Sequence, residues 1–181
     1  SMPEFTVFRP ADMTETIAGW YYCLVNKKPT AVVLSRQNLP QLKGTSRDAL
    51  KGGYIVSDSK KDIPDALLLA SGSEVSTLVE AEALLAERAG VRARIVSVPS
   101  EGLFRSQSAE YQQAVLPCGV KRFGLTAGLP VNLMGLVGEN GKVFGLESFG
   151  FSAPYKVLDE KLGFTAENVY NQVKNLLASN I

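Results

Sequence analysis

Histidine is absent from this 181-residue chain. That removes Ser-His-Asp and Cys-His catalysis, histidine-ligated metals and the usual general base near neutral pH. Cysteine is nearly absent, with Cys23 and Cys118 isolated and far apart and no CxxC pair, so neither a zinc site nor a disulfide framework is expected. Two lone cysteines read as reduced residues of a cytoplasmic protein. Net charge is +1, which gives no general drive toward nucleic acid or an acidic membrane. No apolar run approaches the roughly 20 residues of a membrane span, and no signal peptide is visible. Internal repeats and low-complexity tracts are lacking too.

What is present is an ordinary globular composition, 45% hydrophobic and 20% charged. A chain of this length buries roughly 70% of its unfolded surface and needs no metal to fold. Ser1-Met2 reads as the remnant of a cleaved tag. Asp12-Met13-Thr14-Glu15 has the form of a helix start, with Asp12 as cap and Glu15 reaching back. Met13, Ile17, Trp20, Tyr21 and Leu24 recur at helical spacing after it, which predicts an amphipathic helix over residues 12–26. A strand over 30–35 follows. This helix and strand resemble the tail of an αβ unit whose earlier strands are elsewhere, since two elements cannot enclose a core.

Residues 40–64 are rich in Gly, Ser, Pro and Asp and read as a connector, with a short edge strand over 53–56. Ser57-Asp58-Ser59-Lys60 matches the S-x-x-K pattern of acyl-transferring serine enzymes. It lies in a polar loop without the accompanying motifs, and carries no function here. From Asp65 onward the pattern is regular. Strands are expected over 66–70, 91–98, 121–126 and 142–146. Helices are expected after a Ser71/Glu74 capping box, over 103–115, over 153–162 with Ser152 as cap, and after Thr165. The Gly-rich stretch 127–141 lacks G-x-G-x-x-G spacing and reads as a link ending in an Asn140-Gly141 turn. Alternating strands and helices predict an α/β fold with a mainly parallel sheet covered on both faces.

The chemistry-bearing candidate is Arg36. Ala31-Val32-Val33-Leu34 runs as a buried strand into Ser35-Arg36-Gln37-Asn38-Leu39-Pro40, so Arg36 falls at the carboxyl end of a strand, where open α/β sheets present ligand-contacting groups. Its guanidinium is a fork of donors suited to phosphate or carboxylate. The pattern alone leaves two roles open, an anion ligand or a strand-end ion pair. Arg9, Lys43, Arg47 and Lys51 make the first third basic, either as solvated surface or as part of a phosphate patch.

Several stretches, in order, resemble the carboxyl-terminal part of transketolase. They are Arg9-Pro10-Ala11-Asp12 with Glu15, Leu34-Ser35-Arg36-Gln37-Asn38-Leu39-Pro40, Gly53-Tyr54 and Ala70-Ser71-Gly72-Ser73-Glu74-Val75. Val96-Ser97-Val98-Pro99-Ser100 with Phe104, Glu110-Tyr111, Phe149-Gly150 with Ser152-Ala153-Pro154, and Gly163-Phe164-Thr165 with Glu167-Asn168-Val169 complete the series. The resemblance implies a three-layer α/β/α domain around a mixed, mainly parallel five-stranded sheet, preceded by a helix–strand arm. Residues 3–39 would then be the end of the pyrimidine-binding domain, 40–64 a linker with an edge strand, and 65–181 the carboxyl-terminal domain. It implies an intact homodimeric transferase that moves two-carbon ketol units between sugar phosphates with thiamine diphosphate and Mg or Ca. Arg36 would bind the sugar phosphate. The cofactor and metal ligands would lie outside this chain, which alone would bind no cofactor and be inactive. No nucleic-acid or membrane partner is implied. The departures are Thr126 before Ala127-Gly128, where the family commonly has an acidic residue, and the lack of aromatics over 129–136. The rival readings are a non-catalytic binding or regulatory α/β module, and the same domain of a dihydroxyacetone or deoxyxylulose phosphate synthase.

Overall fold

The structure is a computed structural model that describes residues 4–59 and 63–179. Ser1 and Met2, read as a tag remnant, and Lys60 of the S-x-x-K match lie outside the described residues. The larger part is a five-stranded sheet built from β3 (Tyr54–Ser57), β4 (Ala66–Ala70), β5 (Ala93–Ser97), β6 (Arg122–Leu125) and β7 (Lys142–Phe144). Its order is β3-β5-β4-β6-β7. All neighbours are parallel except β3, which pairs antiparallel with β5 at the edge. The mixed, mainly parallel three-layer architecture is therefore as expected.

β4 shows why the sheet is central. Every residue of Ala66-Leu67-Leu68-Leu69-Ala70 is fully buried, as a strand covered on both faces requires. Alternation then sorts the side chains between two cores. Leu68 joins α2 (Glu74–Ala89) and α7 (Ala166–Ala178) on one face, with Val75, Leu78, Leu85, Val169 and Val173. Leu67 and Leu69 join the opposite face, with Phe104, Val115, Leu133 and Val137. α7 begins where expected, with the Thr165 side chain accepting from the Asn168 amide.

Several local expectations are corrected. The helix expected over 103–115 is two short helices, α3 (Glu101–Arg105) and α4 (Ala109–Val115), the second capped by Ser108. The Ser106-Gln107-Ser108 interruption favours a fresh cap over continuation. The Gly-rich 127–141 stretch contains a helix, α5 (Val131–Val137), whose Leu133, Leu136 and Val137 close the second core. α6 (Tyr155–Leu162) starts after Pro154, with no side-chain cap from Ser152. A 3₁₀ turn over Arg47–Lys51, unread in the sequence, interrupts the connector.

The arm holds one more element than expected. β1 (Thr6–Phe8) pairs in parallel with β2 (Thr30–Val32), and α1 (Met13–Asn26) connects them. β2 is shorter than the 30–35 strand read from its apolar run. The larger surprise is the orientation of α1. Its apolar stripe faces outward, with Met13 66%, Ile17 62%, Trp20 55% and Leu24 73% exposed. The side facing the protein carries Glu15, Ala18 and Gly19 instead. Small residues let the helix approach closely: a Cβ on Gly19 would come within 2.9 Å of the Phe8 ring.

Candidate functional site: the Arg36 loop

β2 delivers the chain to the site. Its last contact with β1 is the Val33 N–H donating to the Phe8 carbonyl at 2.8 Å. Beyond it, among the described residues, no hydrogen bond or ion pair engages residues 34–40. Arg36 sits in this span and is exposed. Of the two roles left open by the sequence, the structural ion pair has no partner among the described residues. What remains is an unengaged guanidinium on a loop that follows a strand, chemically able to grip a phosphate with two parallel N–H donors.

The other basic residues of the first third do not share that freedom uniformly. Arg9 forms an ion pair with Glu74 and also donates to the Ser71 carbonyl. Lys51 pairs with Asp48 and lies over the Tyr111 ring. The Arg9 contacts also revise the expected Ser71/Glu74 capping box. Gly72 takes φ +65° and α2 starts only at Glu74, so the cap position falls at Ser73, two residues after Ser71. Arg9 occupies the turn that leads into α2.

The arm is fastened to the sheet through a buried carboxylate. Glu15 is fully buried; its Oε1 accepts from the Tyr54 hydroxyl at 2.8 Å and its Oε2 from the Ala11 amide at 2.7 Å. It does reach back as its spacing suggested, but one residue beyond the Asp12 cap. Burial pushes the Glu15 carboxyl above its ordinary range, and nearby Ser97, the Ala11 amide and the Tyr54 hydroxyl oppose that. Ser97 Oγ is buried and makes no hydrogen bond of standard geometry among the described residues. Burial and the Glu15 charge hold the Tyr54 hydroxyl far above its usual range, so it is a permanent donor. Neither partner of this clamp was singled out as functional from sequence. Arg9-Pro10-Ala11-Asp12 with Glu15 and Gly53-Tyr54 had marked them only as shared motifs.

Two clefts flank the arm. One of about 1080 Å³ opens at the carboxyl ends of β4, β5 and β6, lined by Arg9, Ser71, Ser100, Thr126 and Asn132. Arg36 does not line it, and its arginine is already neutralised by Glu74. A smaller cleft of about 390 Å³ is bordered by residues 37–40 and by Glu74, Glu80, Lys156, Asp159 and Glu160. With Glu74 paired to Arg9, the carboxylates of Glu80, Asp159 and Glu160 outnumber Lys156, so the wall is net acidic and disfavours phosphate. Burial, followed by the charge of Glu74, raises the Asp159 carboxyl above its ordinary value. Arg36 lines neither cleft. Among the described residues, no group of three His, Cys, Asp or Glu side chains could hold a metal ion.

The profile of the transketolase-like TK C-terminal domain matches residues 52–165. The chain belongs to the transketolase family. Transketolase of Bacillus subtilis (strain 168) is 44% identical over 98% of this chain, and a probable transketolase of Streptococcus pneumoniae serotype 4 is 42% identical over 97%. In each case the match spans 27% of the relative, so the chain covers about a quarter of the length of these transketolases. Among solved structures, a transketolase variant of Pichia stipitis in complex with fructose 6-phosphate superposes with a TM-score of 0.91 at 35% identity. It covers 98% of this chain and 26% of that one. Transketolase of Leishmania mexicana gives 0.89 at 36% identity, covering 97% and 26%.

Proposed function

We propose that this chain is the carboxyl-terminal part of a transketolase and that Arg36 is its ligand for the sugar phosphate. The intact enzyme transfers a two-carbon ketol unit between sugar phosphates. The observation that carries the reading is the exposed Arg36 guanidinium, free of partners among the described residues, on a loop directly after β2. Support also comes from Pichia stipitis transketolase, a family member solved with fructose 6-phosphate and sedoheptulose 7-phosphate. In this reading residues 3–39 close the middle, pyrimidine-binding domain, 40–64 link it onward, and 65–181 form the terminal domain.

Thiamine diphosphate and a divalent cation supply the carbanion chemistry in the intact enzyme. In this reading the groups that would hold the cofactor and its cation lie on parts of the enzyme other than this chain. No step is therefore assigned to the cofactor on this chain, and its own contribution is binding and orientation. Alone, the chain is expected to be catalytically silent and to give no calorimetric signal with thiamine diphosphate and magnesium; micromolar binding would refute this division of labour. The intact enzyme is a homodimer in this reading. A cytoplasmic setting is supported by the two unpaired cysteines.

Arg36→Ala in the intact enzyme tests the central assignment. A charge-assisted contact contributes about 1.5–3 kcal/mol, so KM for phosphorylated sugars should rise about tenfold to a hundredfold. KM for an unphosphorylated ketol donor should stay unchanged, because that substrate never makes the contact. Equal effects on both substrates, or none, would overturn the role.

A further inference from the structure

We infer that Asp12 is the positioning residue for Arg36, acting through the far end of the Arg36 loop; the inference rests on Arg36 being the phosphate ligand. Residues 34–40 hang between two attachments. Upstream is the Val33 amide on the Phe8 carbonyl, at 2.8 Å. Downstream is Asp12 Oδ2, which accepts from Gln41 Nε2 at 2.7 Å, from the Leu42 amide at 3.1 Å and from Thr45 Oγ1 at 2.6 Å. Phe8 and Asp12 are four residues apart, so one short stretch of the arm grips both ends of the loop.

The two oxygens of Asp12 divide the work. Oδ1 accepts from the Glu15 amide at 3.0 Å and caps α1. Among the described residues, Oδ2 serves only the segment just downstream of the loop. Asp12 is 5% exposed, so these contacts are largely shielded from competing water. Among the described residues, no hydrogen bond or ion pair holds residues 34–40 themselves. Leu42 packs against the first core, and a Cβ on Gly44 would strike the Val56 backbone, so the downstream attachment is packed as well as bonded. Gln41 Nε2 also reaches Thr14 Oγ1 at 2.9 Å, on the exposed side. Removing the Oδ2 acceptor lengthens the free tether from residues 34–40 toward 34–43. Arg36 would then visit more positions and spend less time at the one that meets the phosphate.

Asp12→Asn separates the two jobs. Asparagine caps helices as well as aspartate does, and its Oδ1 still accepts from the Glu15 amide. Its Nδ2, however, brings a donor to a position where three donors already converge. In the intact enzyme, KM for a phosphorylated sugar should rise about threefold to tenfold. KM for an unphosphorylated ketol donor and kcat should change less than about twofold. The effect should vanish in an Arg36→Ala background, since a loop without its ligand has nothing to position. Thr45→Val, which removes one donor and keeps the shape, should move KM the same way by less. Hydrogen exchange of the 181-residue chain gives a readout without turnover: Asp12→Asn should speed exchange of the Leu42 amide while the amides of α1 stay protected. An equal rise in KM for both substrates, or full additivity with Arg36→Ala, would show a general structural role and overturn the inference. If Arg36→Ala is selective and Asp12→Asn is silent, only the positioning role falls. A silent Arg36→Ala would remove the phosphate reading, and the positioning role with it.

Discussion

Replacing Tyr54 by Phe should loosen the arm from the sheet by an amount that depends on pH. Tyr54 is 2% exposed, and its hydroxyl donates to Glu15 Oε1 at 2.8 Å. The substitution keeps the ring and removes the donor. The Ala11 amide still serves Oε2, but Oε1 loses the one hydrogen bond it accepts among the described residues. A hydrogen bond to a charged group contributes about 1.5–3 kcal/mol, and a neutral one about 1. The variant should therefore lose about 2–3 kcal/mol at pH 8, where Glu15 is most ionised. For a chain of this size that corresponds to a fall in Tm of about 5–10 °C. Near pH 4.5 the loss should shrink to about 1 kcal/mol.

The sign of the pH dependence follows from the shift at Glu15. Its folded value lies above the ordinary 4.5, mainly because of burial. Between these values the folded chain binds more protons than the unfolded one, so stability falls as pH rises through that window. Tyr54 opposes the shift. Without it the folded value climbs further, and the fall with rising pH becomes steeper. Urea titrations of both proteins between pH 4.5 and 8 would measure this, with Glu15→Gln as the control that should flatten the dependence. A loss below about 0.5 kcal/mol at pH 8, or one equal across the range, would refute the clamp.

Two further perturbations probe the fold. Gly52 adopts φ +84°, and a Cβ there would crowd the Phe104 amide and the Ser100 carbonyl; Gly52→Ala should cost about 3 kcal/mol from left-handed strain and overpacking together. A loss under 1 kcal/mol in urea would show that the turn has room to adjust. Leu24→Lys should change stability by no more than about 0.5 kcal/mol, because Leu24 is 73% exposed. A core-sized loss of about 2–5 kcal/mol in thermal denaturation would mean that the stripe is covered in this chain.

Much of the layered sheet was legible because its signals are local. β4 reads as buried from five apolar residues in a row, and Gly90 and Gly163 end helices in left-handed conformations that glycine adopts without penalty. Thr165 and Asp12 cap where their spacing suggested. α5 was hidden because its sequence, Val131–Val137 in the structure, contains Gly135 within a run of glycines that suggests a loop. Its formation depends on Leu133 and Leu136 meeting the second core, a long-range contact that no window of sequence reveals. β1 was missed for a related reason: three residues carry too little pattern, and only pairing with β2 makes them a strand.

Composition and motif order determined the fold class, the family resemblance and the choice of Arg36, because burial runs, caps and shared segments are properties of neighbouring residues. The direction in which α1 faces was decided by tertiary structure alone. Periodicity says that a helix has an apolar side, but the close approach of Gly19 to Phe8 and the burial of Glu15 against Tyr54 turn that side outward. Whether Arg36 is engaged was decided the same way, since a structural ion pair needs a partner that only folding can bring near. So was the second task of Asp12. Its spacing to Glu15 announces a helix cap, whereas its grip on Gln41, Leu42 and Thr45 joins residues about 30 positions apart.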